Sequence, residues 1–386
     1  MDKLTQRFLV TGSSGFVGSR LVRQLLSEDN QIWGLDILSS PFSDDKKYND
    51  YHHFTIDLTS QEAEKEITKL LDENKIQMVI HLASLIKVGE GEKQPDRYKK
   101  VNIEGTEIIL KAMKAVGLKK IIFASSAAVY KSPVIVPINE KNRLISSDMM
   151  SEHSLKETDT LDPVSVYGKT KLIAEKLIRQ YVKSDKFEGI AFRFFNVSGG
   201  KEIHNPSVHL IPIIIDKLIR GEPVQIFGKD YPTSDGTCYR DYFHVKDLIR
   251  AILKVIEKWD RIHHPNENIR HFLSFGNTVA DNSDDSPNSE IPGWKIYNLG
   301  QGVGYTVLQV FKQVNKQCSA QYKFQKSNNC GSMVFVPRRP GDPPILLANC
   351  RKAEREFGWK TDYQLGQIIS DTLEEMLDSK KNQIKD

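Results

Sequence analysis

The chain is 386 residues long, 39% hydrophobic and 27% charged, with a formal net charge of +4. Length and composition are those of a globular protein with a substantial core, arranged as one large domain or two medium ones. No long basic stretch is present to bind nucleic acid and no apolar run approaches bilayer-spanning length, while Cys238, Cys318, Cys330 and Cys350 have neither metal-ligand spacing nor the density of a disulfide framework. The opening MDKLTQ leads directly into an apolar strand, so no signal peptide is expected and the chain reads as cytoplasmic.

In chain order, RFLVT (7–11) reads as a buried strand and the stretch 15–28 as an amphipathic helix. QIWGLD (31–36) and HFTID (53–57) are the next strands, followed by a helix over 61–74. QMVIHL (77–82), a helix over 97–116 and KKIIFA (119–124) continue the alternation; a helix over 164–183 and the strand GIAFRFF (189–195) complete it. Strand–helix alternation of this kind predicts an α/β fold, a Rossmann-type doubly wound parallel sheet with helices on both faces. Beyond about residue 195, Pro, Gly and aromatic residues cluster, and a smaller mixed α/β lobe is expected there. Two stretches read as loops: 131–163, and the acidic NTVADNSDDSPNSEIPG at 277–293.

Gly12, Gly15 and Gly18 follow the first strand and open the first helix. Glycines at that spacing let the backbone turn tightly and approach a pyrophosphate, which then sits at the positive end of the helix. Asp36 ends the second strand, where an acid accepts hydrogen bonds from a ribose diol and repels a 2′-phosphate, so the expected cofactor is NAD rather than NADP. A strand-end aspartate also serves as an ordinary turn residue. Asp57 and Leu58 follow the third strand, in place to address an adenine; HLAS (81–84) follows the fourth, and SSAAVY (125–130) the fifth. Ser126 therefore lies at the strand ends where open α/β sheets bind ligands, although serines there are often only capping residues. In SVYGKTK (165–171), Tyr167 and Lys171 stand one helical turn apart on one face. A phenol titrates near pH 10 and is a poor base at neutrality, and an ammonium beside it would lower that value. The same pattern also occurs as a plain surface pair.

The cradle, the strand-end serine and Tyr-x-x-x-Lys together resemble the extended short-chain dehydrogenase/reductase family. IFGKDYPTSDGTCYRDYFHVKDL (226–248) narrows the resemblance to the UDP-galactose (UDP-glucose) 4-epimerases. RFFNVSG (193–199), HLIP (209–212), YNLGQGVGYTV (297–307) and RRPGD (338–342) agree in order and spacing. The resemblance implies an NAD-binding domain over 1–192, with a return segment at about 236–260, and a nucleotide-sugar lobe made of 193–235 and 261–386. It implies Tyr167 as acid/base, Lys171 as the group that binds the nicotinamide ribose and lowers the tyrosine's pKa, and Ser126 as partner of the sugar hydroxyl. Cofactor contacts are implied for Gly12, Gly15, Phe16, Val17, Gly18, Asp36, Asp57, Leu58, Leu82, Ala83, Asn102 and Phe195. The UDP-hexose substrate would be held by Asn196, His209, Leu210, Gln225, Phe227, Arg240, Arg339, Asp342 and Leu346. Arginine forks suit a doubly charged diphosphate on physical grounds as well.

A homodimer is implied too, and the charge, hydropathy and cysteine spacing noted above leave no nucleic-acid, membrane or metal partner expected. The chain departs from the pattern at Ile86 (commonly Lys), Ala128 (often Thr), Lys131 (usually Gly) and Phe194 (often Tyr). A nucleotide-sugar 4,6-dehydratase would need an acid pair where Ala127 and Ala128 stand, and a decarboxylase a glutamate in the same region. A UDP-glucuronate or UDP-pentose 4-epimerase, or a non-catalytic NAD-binding regulator, are the remaining alternatives; relatives of the last kind usually lack the tyrosine or the lysine.

Overall fold

The strands of the computed structural model are, in chain order, β1 (Arg7–Thr11), β2 (Gln31–Asp36), β3 (Tyr51–Thr55), β4 (Met78–His81), β5 (Lys120–Ser126), β6 (Glu188–Phe194), β7 (Asn196–Ser198), β8 (Val224–Phe227), β9 (Tyr239–His244), β10 (Trp294–Leu299), β11 (Gly304–Thr306), β12 (Met333–Val336) and β13 (Ile345–Leu346). The structure describes residues 5–42, 48–132, 153–202, 207–265, 288, 290–321, 331–339 and 342–383. Much of the two expected loops, 133–152 and nearly all of 277–289, lies outside them.

The described chain divides into two compact units, the first within Met1–Lys131, Glu157–Arg193 and Ala251–Tyr297, the second within Ser132–Lys156, Phe194–Arg250 and Asn298–Asp386.

The first unit is built on a seven-stranded sheet of order β10-β6-β5-β4-β1-β2-β3. β1 pairs in parallel with β2 and β4, β2 with β3, and β4 with β5. The strand order therefore reverses between β1 and β4, the switch point outside which such sheets bind ligands. Burial explains why the strand sequences are apolar throughout: Phe8, Leu9, Val10, Val79 and Ile80 are at most 1% exposed, covered on both faces. The expected helices form at Phe16–Leu26, Ala63–Glu73 and Val166–Asp185. The stretch expected as one helix over 97–116 is interrupted: helical turns at Pro95–Lys99 and Gly105–Ala115 flank a π-turn at Lys100–Glu104. β10, absent from the sequence-level strands, forms because Trp294, Ile296, Tyr297 and Leu299 are all buried.

The second unit is more regular than its Pro- and Gly-rich sequence implies. β9 pairs in parallel with β7 and β13 and antiparallel with β11. β8 and β12 form a separate parallel pair. Helices Leu210–Arg220, Val307–Gln321 and Leu365–Gln383 enclose a core of Ile211, Ile214, Ile215, Val310, Val314, Ile368, Ile369 and Leu373. The amphipathic spacing of these apolar residues is what makes the helices fold onto one another.

Candidate active site

The glycine cradle is a backbone device. Gly12 adopts φ +69°, the left-handed region, and a Cβ there would lie 2.8 Å from Ala83 N. A Cβ on Gly18 would stand 2.0 Å from the Gly12 carbonyl oxygen, so any side chain would push the helix off the turn. The first helix opens at Phe16 with no side chain capping its N–H groups. Such a cradle fits a pyrophosphate, and the residues present thus suit a dinucleotide. Val17 lies in the same first helical turn, and the Arg20 guanidinium stacks 4.5 Å from the Phe16 ring centroid.

Asp36 is held for its task by two backbone donors, Ser14 N to Oδ2 at 2.9 Å and Leu38 N to Oδ1 at 3.0 Å. Each oxygen retains acceptor capacity for a ribose hydroxyl. Asp57 accepts from Thr59 N and Oγ1, both at 2.8 Å, and the Leu58 side chain belongs to the core. Leu82 and Ala83 follow β4 and line the Gly12 turn.

Asn102 departs from its expected role. It is 2% exposed within the π-turn, and its side chain is spent on protein partners. Oδ1 accepts from Leu85 N (2.8 Å) and Ser84 Oγ (3.0 Å), while Nδ2 donates to Leu85 O and Thr170 Oγ1, both at 3.0 Å. An amide offers two donors and two acceptor lone pairs, so none remains for a cofactor. Asn102 instead ties the 84–85 segment to the helix that carries Tyr167, whose carbonyl accepts from Thr170 Oγ1 at 2.8 Å. A second polar chain runs from Thr11 Oγ1 to His81 Nδ1 (2.7 Å) and from His81 Nε2 to Thr106 Oγ1 (3.0 Å). Burial and the Lys171 charge hold His81 down to about 3, so its ring is neutral.

Ser126, Tyr167 and Lys171 come together at the end of β5. Ser165 caps the helix by accepting from Gly168 N at 3.0 Å. A Cβ on Gly168 would meet the Ala128 carbonyl at 2.2 Å, and this close approach brings Tyr167 within hydrogen-bonding reach of Ser126. Ser126 Oγ also accepts from Ala128 N at 3.2 Å. Lys171 is 2% exposed and donates from Nζ to Ala124 O at 2.8 Å.

In the unliganded site burial dominates the electrostatics. Burial pushes the Tyr167 phenol up to about 12, and the group that opposes this is Ser126, through its hydrogen bond, rather than Lys171. Burial also pulls the Lys171 ammonium down to about 7, with Glu175 opposing. The reason is geometric: Nζ is turned onto a strand carbonyl, and a desolvated ammonium is itself costly.

In the second unit, β7 carries Asn196, whose Nδ2 donates to Asp241 O at 2.9 Å, and Phe195 just before it is 6% exposed. His209 precedes the helix that starts at Leu210, and its Nδ1 pairs with the Glu202 carboxylate. Phe227 ends β8, with Gln225 exposed two residues earlier. The Arg339 guanidinium stacks 4.0 Å from the Phe227 ring centroid. Arg240 is 8% exposed; its Nη1 donates to Tyr239 O and Pro343 O, both at 2.8 Å, and its Nη2 to Asp342 Oδ1 at 2.5 Å. Three of its five N–H groups are thus used. β13 pairs Leu346 with Arg240, and the strand's alternation separates half-buried Leu346 from the buried Ile345 and Leu347 on either side. Among the described residues, no cluster of His, Cys, Asp or Glu is arranged to hold a metal ion.

Residues 8–269 match the NAD dependent epimerase/dehydratase family. The chain belongs to that family. The UDP-glucose 4-epimerase of Halalkalibacterium halodurans is 32% identical over 362 residues, covering 92% of this chain and 90% of that one. The Bacillus subtilis UDP-glucose 4-epimerase is 32% identical over 378 residues, covering 94% and 95% respectively. The crystal structure of the Bifidobacterium longum UDP-glucose 4-epimerase, in complex with NAD+ and UDP, superimposes with a TM-score of 0.73 at 29% identity, covering 97% of this chain and 99% of that one. Ser125 and Arg193 lie inside SSAAVY and RFFNVSG, but nothing in those motifs signals their pairing with Glu175, whose one signal is its place four residues after Lys171.

Proposed function

We propose that this chain is an NAD-dependent 4-epimerase that interconverts UDP-glucose and UDP-galactose. The observation that carries the reading is the placement of Ser126 beside the Tyr167 phenol, with Lys171 one turn on, at the strand ends of a family fold whose glycine turn suits a pyrophosphate. Bound NAD would take hydride from the sugar C4 and return it. Tyr167 removes the O4 proton as the C4–H bond breaks and gives it back to the 4-keto sugar's oxygen on return, with Ser126 holding that oxygen. Lys171 would hold the nicotinamide ribose. Arg240, oriented by Asp342, and Arg339 hold the diphosphate, Phe227 lies against the base, and Asn196, His209, Leu210 and Gln225 complete the grip on the nucleotide. A firm hold on the nucleotide leaves the sugar free to turn and take hydride on its other face.

The dehydratase alternative lacks its acid pair, since Ala127 and Ala128 stand there. Among the described residues no helix is long and apolar enough to cross a membrane. The cytoplasm is proposed on the few, scattered cysteines, which suit a reducing compartment. Helices Val88–Lys93 and Val166–Asp185 pack together and expose Val88 (48%) and Ile173 (45%), which a second copy of the chain would cover in a homodimer. The purified protein should therefore sediment as a dimer, carry NAD, and convert UDP-galactose to UDP-glucose with no NAD added. A stoichiometric rise in NADH during turnover would make it a dehydrogenase and end this reading.

Leu346 sets the substrate range. On β13 it lies off the Ile345–Leu347 core face, and it is shorter than the tyrosine that, in the resembling enzymes, tends to exclude N-acetyl sugars. UDP-N-acetylhexosamines should be secondary substrates. Leu346→Tyr should lower kcat/KM for UDP-N-acetylgalactosamine by about tenfold or more, the scale of steric discrimination in a pocket, and spare UDP-galactose. Equal ratios in variant and wild type would remove Leu346 from the pocket.

A further inference from the structure

Behind Tyr167 and Lys171 lies a buried ionic cluster that the reaction as described does not use. Glu175 stands one turn beyond Lys171 on the same helix face and is 2% exposed. Arg193, on β6 and 0% exposed, grips its carboxylate with Nε at 3.0 Å and Nη2 at 2.7 Å. Ser125 Oγ donates to the same carboxylate. Arg193 Nη1 also donates to Tyr130 OH at 3.0 Å and Glu157 O at 3.1 Å, and Nη2 to Asn288 Oδ1 at 3.2 Å. Ser125 adjoins Ala124, whose carbonyl takes the Lys171 ammonium, so two successive residues of β5 hold two successive turns of the helix. A fully buried ion pair is weak evidence for stability, since well-packed apolar residues often do as well or better. Stability alone therefore does not explain why Glu175 carries a charge.

We propose that Glu175 is a positioning residue for the reaction: clamped by Arg193 and Ser125, it fixes Lys171 on the Ala124 carbonyl and supplies the negative charge that keeps its ammonium protonated while Tyr167 exchanges protons. The kinetic consequence rests on the epimerase reading; the electrostatic one does not. Among the described residues, the groups facing Lys171 are few. Its own helix presents Tyr167 and Glu175, β4 presents the neutral His81, and β5 presents the Ala124 carbonyl and the Phe123 ring, 4.9 Å from Nζ. On β6, Arg193 is committed to Glu175. Against burial, which draws the ammonium down to about 7, Glu175 is the countering charge.

The test uses the full-length protein with Glu175→Gln and with the double variant Glu175→Gln/Arg193→Met. The double variant is needed because the single change leaves the Arg193 charge buried without its counter-ion and endangers folding. NMR of isotope-labelled lysine side chains, with the Lys171 signal identified by its loss in Lys171→Met, reads the ammonium directly. Its titration midpoint should fall by about one unit or more in both variants, the usual scale for losing a close opposite charge. In kinetics, the alkaline limb of the kcat profile should move down with it and kcat should drop about fivefold at pH 7 and about tenfold well above it, one such unit being a factor of ten. KM for UDP-galactose should stay within about twofold, because uniform substrate binding is untouched, and Glu175→Asp should recover part of the wild-type profile. An unchanged Lys171 midpoint in the folded double variant overturns the proposal, as does a double variant with the wild-type pH profile. If the wild type itself fails to epimerise, the functional reading falls, and the lysine titration still decides the role of Glu175.

Discussion

Tyr167→Phe lowers kcat on UDP-galactose by at least about a hundredfold, the scale on which a positioned acid/base acts, and leaves UDP affinity close to wild type. The substitution removes one oxygen. That oxygen stands within reach of Ser126, placed there by the close approach of Gly168 to the Ala128 carbonyl. In the unliganded protein burial holds the phenol at about 12, so at neutral pH it is protonated. To serve as a base it needs positive charge beside it, which oxidised NAD would bring. The rate should accordingly rise with pH in the wild type until Lys171 loses its proton near 7, and that rising limb should be lost in the variant. Initial rates over a pH series, with calorimetric titration of UDP, check both parts. A variant within about tenfold of wild type would return Tyr167 to the status of a packed helix residue.

The parts of this site that a sequence displays are those whose chemistry is local. Gly12, Gly15 and Gly18 announce themselves because a turn and a helix start are made by consecutive residues. Tyr167 and Lys171 are legible through helical spacing, and Ser126 through its place at a strand end. What stays hidden depends on pairs far apart in the chain. Ser125 meets Glu175 across 50 residues, and Asn102 meets Thr170 across 68. Nothing near Asn102 signals that a π-turn will bury it and exhaust its amide. The second unit was harder still, because β8 finds β12, pairing Val224 with Met333, and β9 finds β13, pairing Arg240 with Leu346. Such non-local pairings leave no periodic mark on either segment, which is why this half reads as irregular while folding into regular strands and helices. The direction of the Lys171 effect was also out of reach: spacing shows that two groups are neighbours, not which way burial shifts each.

Lys171→Met should abolish most activity and, in the nucleotide-free protein, raise the thermal midpoint by several degrees near pH 6.5. The sign follows from the lysine's titration. Its ordinary value is 10.5 and its folded value about 7. Between those limits the unfolded chain binds the extra proton, so wild-type stability rises as the pH climbs from about 7 toward 10.5. Below about 7 both states are charged and the whole cost of burying the ammonium stands against the fold. Methionine keeps the apolar stem without the charge. It loses the bond to Ala124 O, and an orphaned carbonyl costs about 1–3 kcal/mol. The ammonium's depression, roughly three to four units at about 1.4 kcal/mol each, outweighs that loss. The advantage of the variant should be largest in mildly acidic buffer and shrink steadily toward pH 10, where the folded and unfolded wild type approach the same protonation. Thermal unfolding of both proteins across that range measures it. A variant less stable than wild type at every pH would mean that the Lys171 ammonium strengthens the fold, and that its place in the site costs the protein nothing.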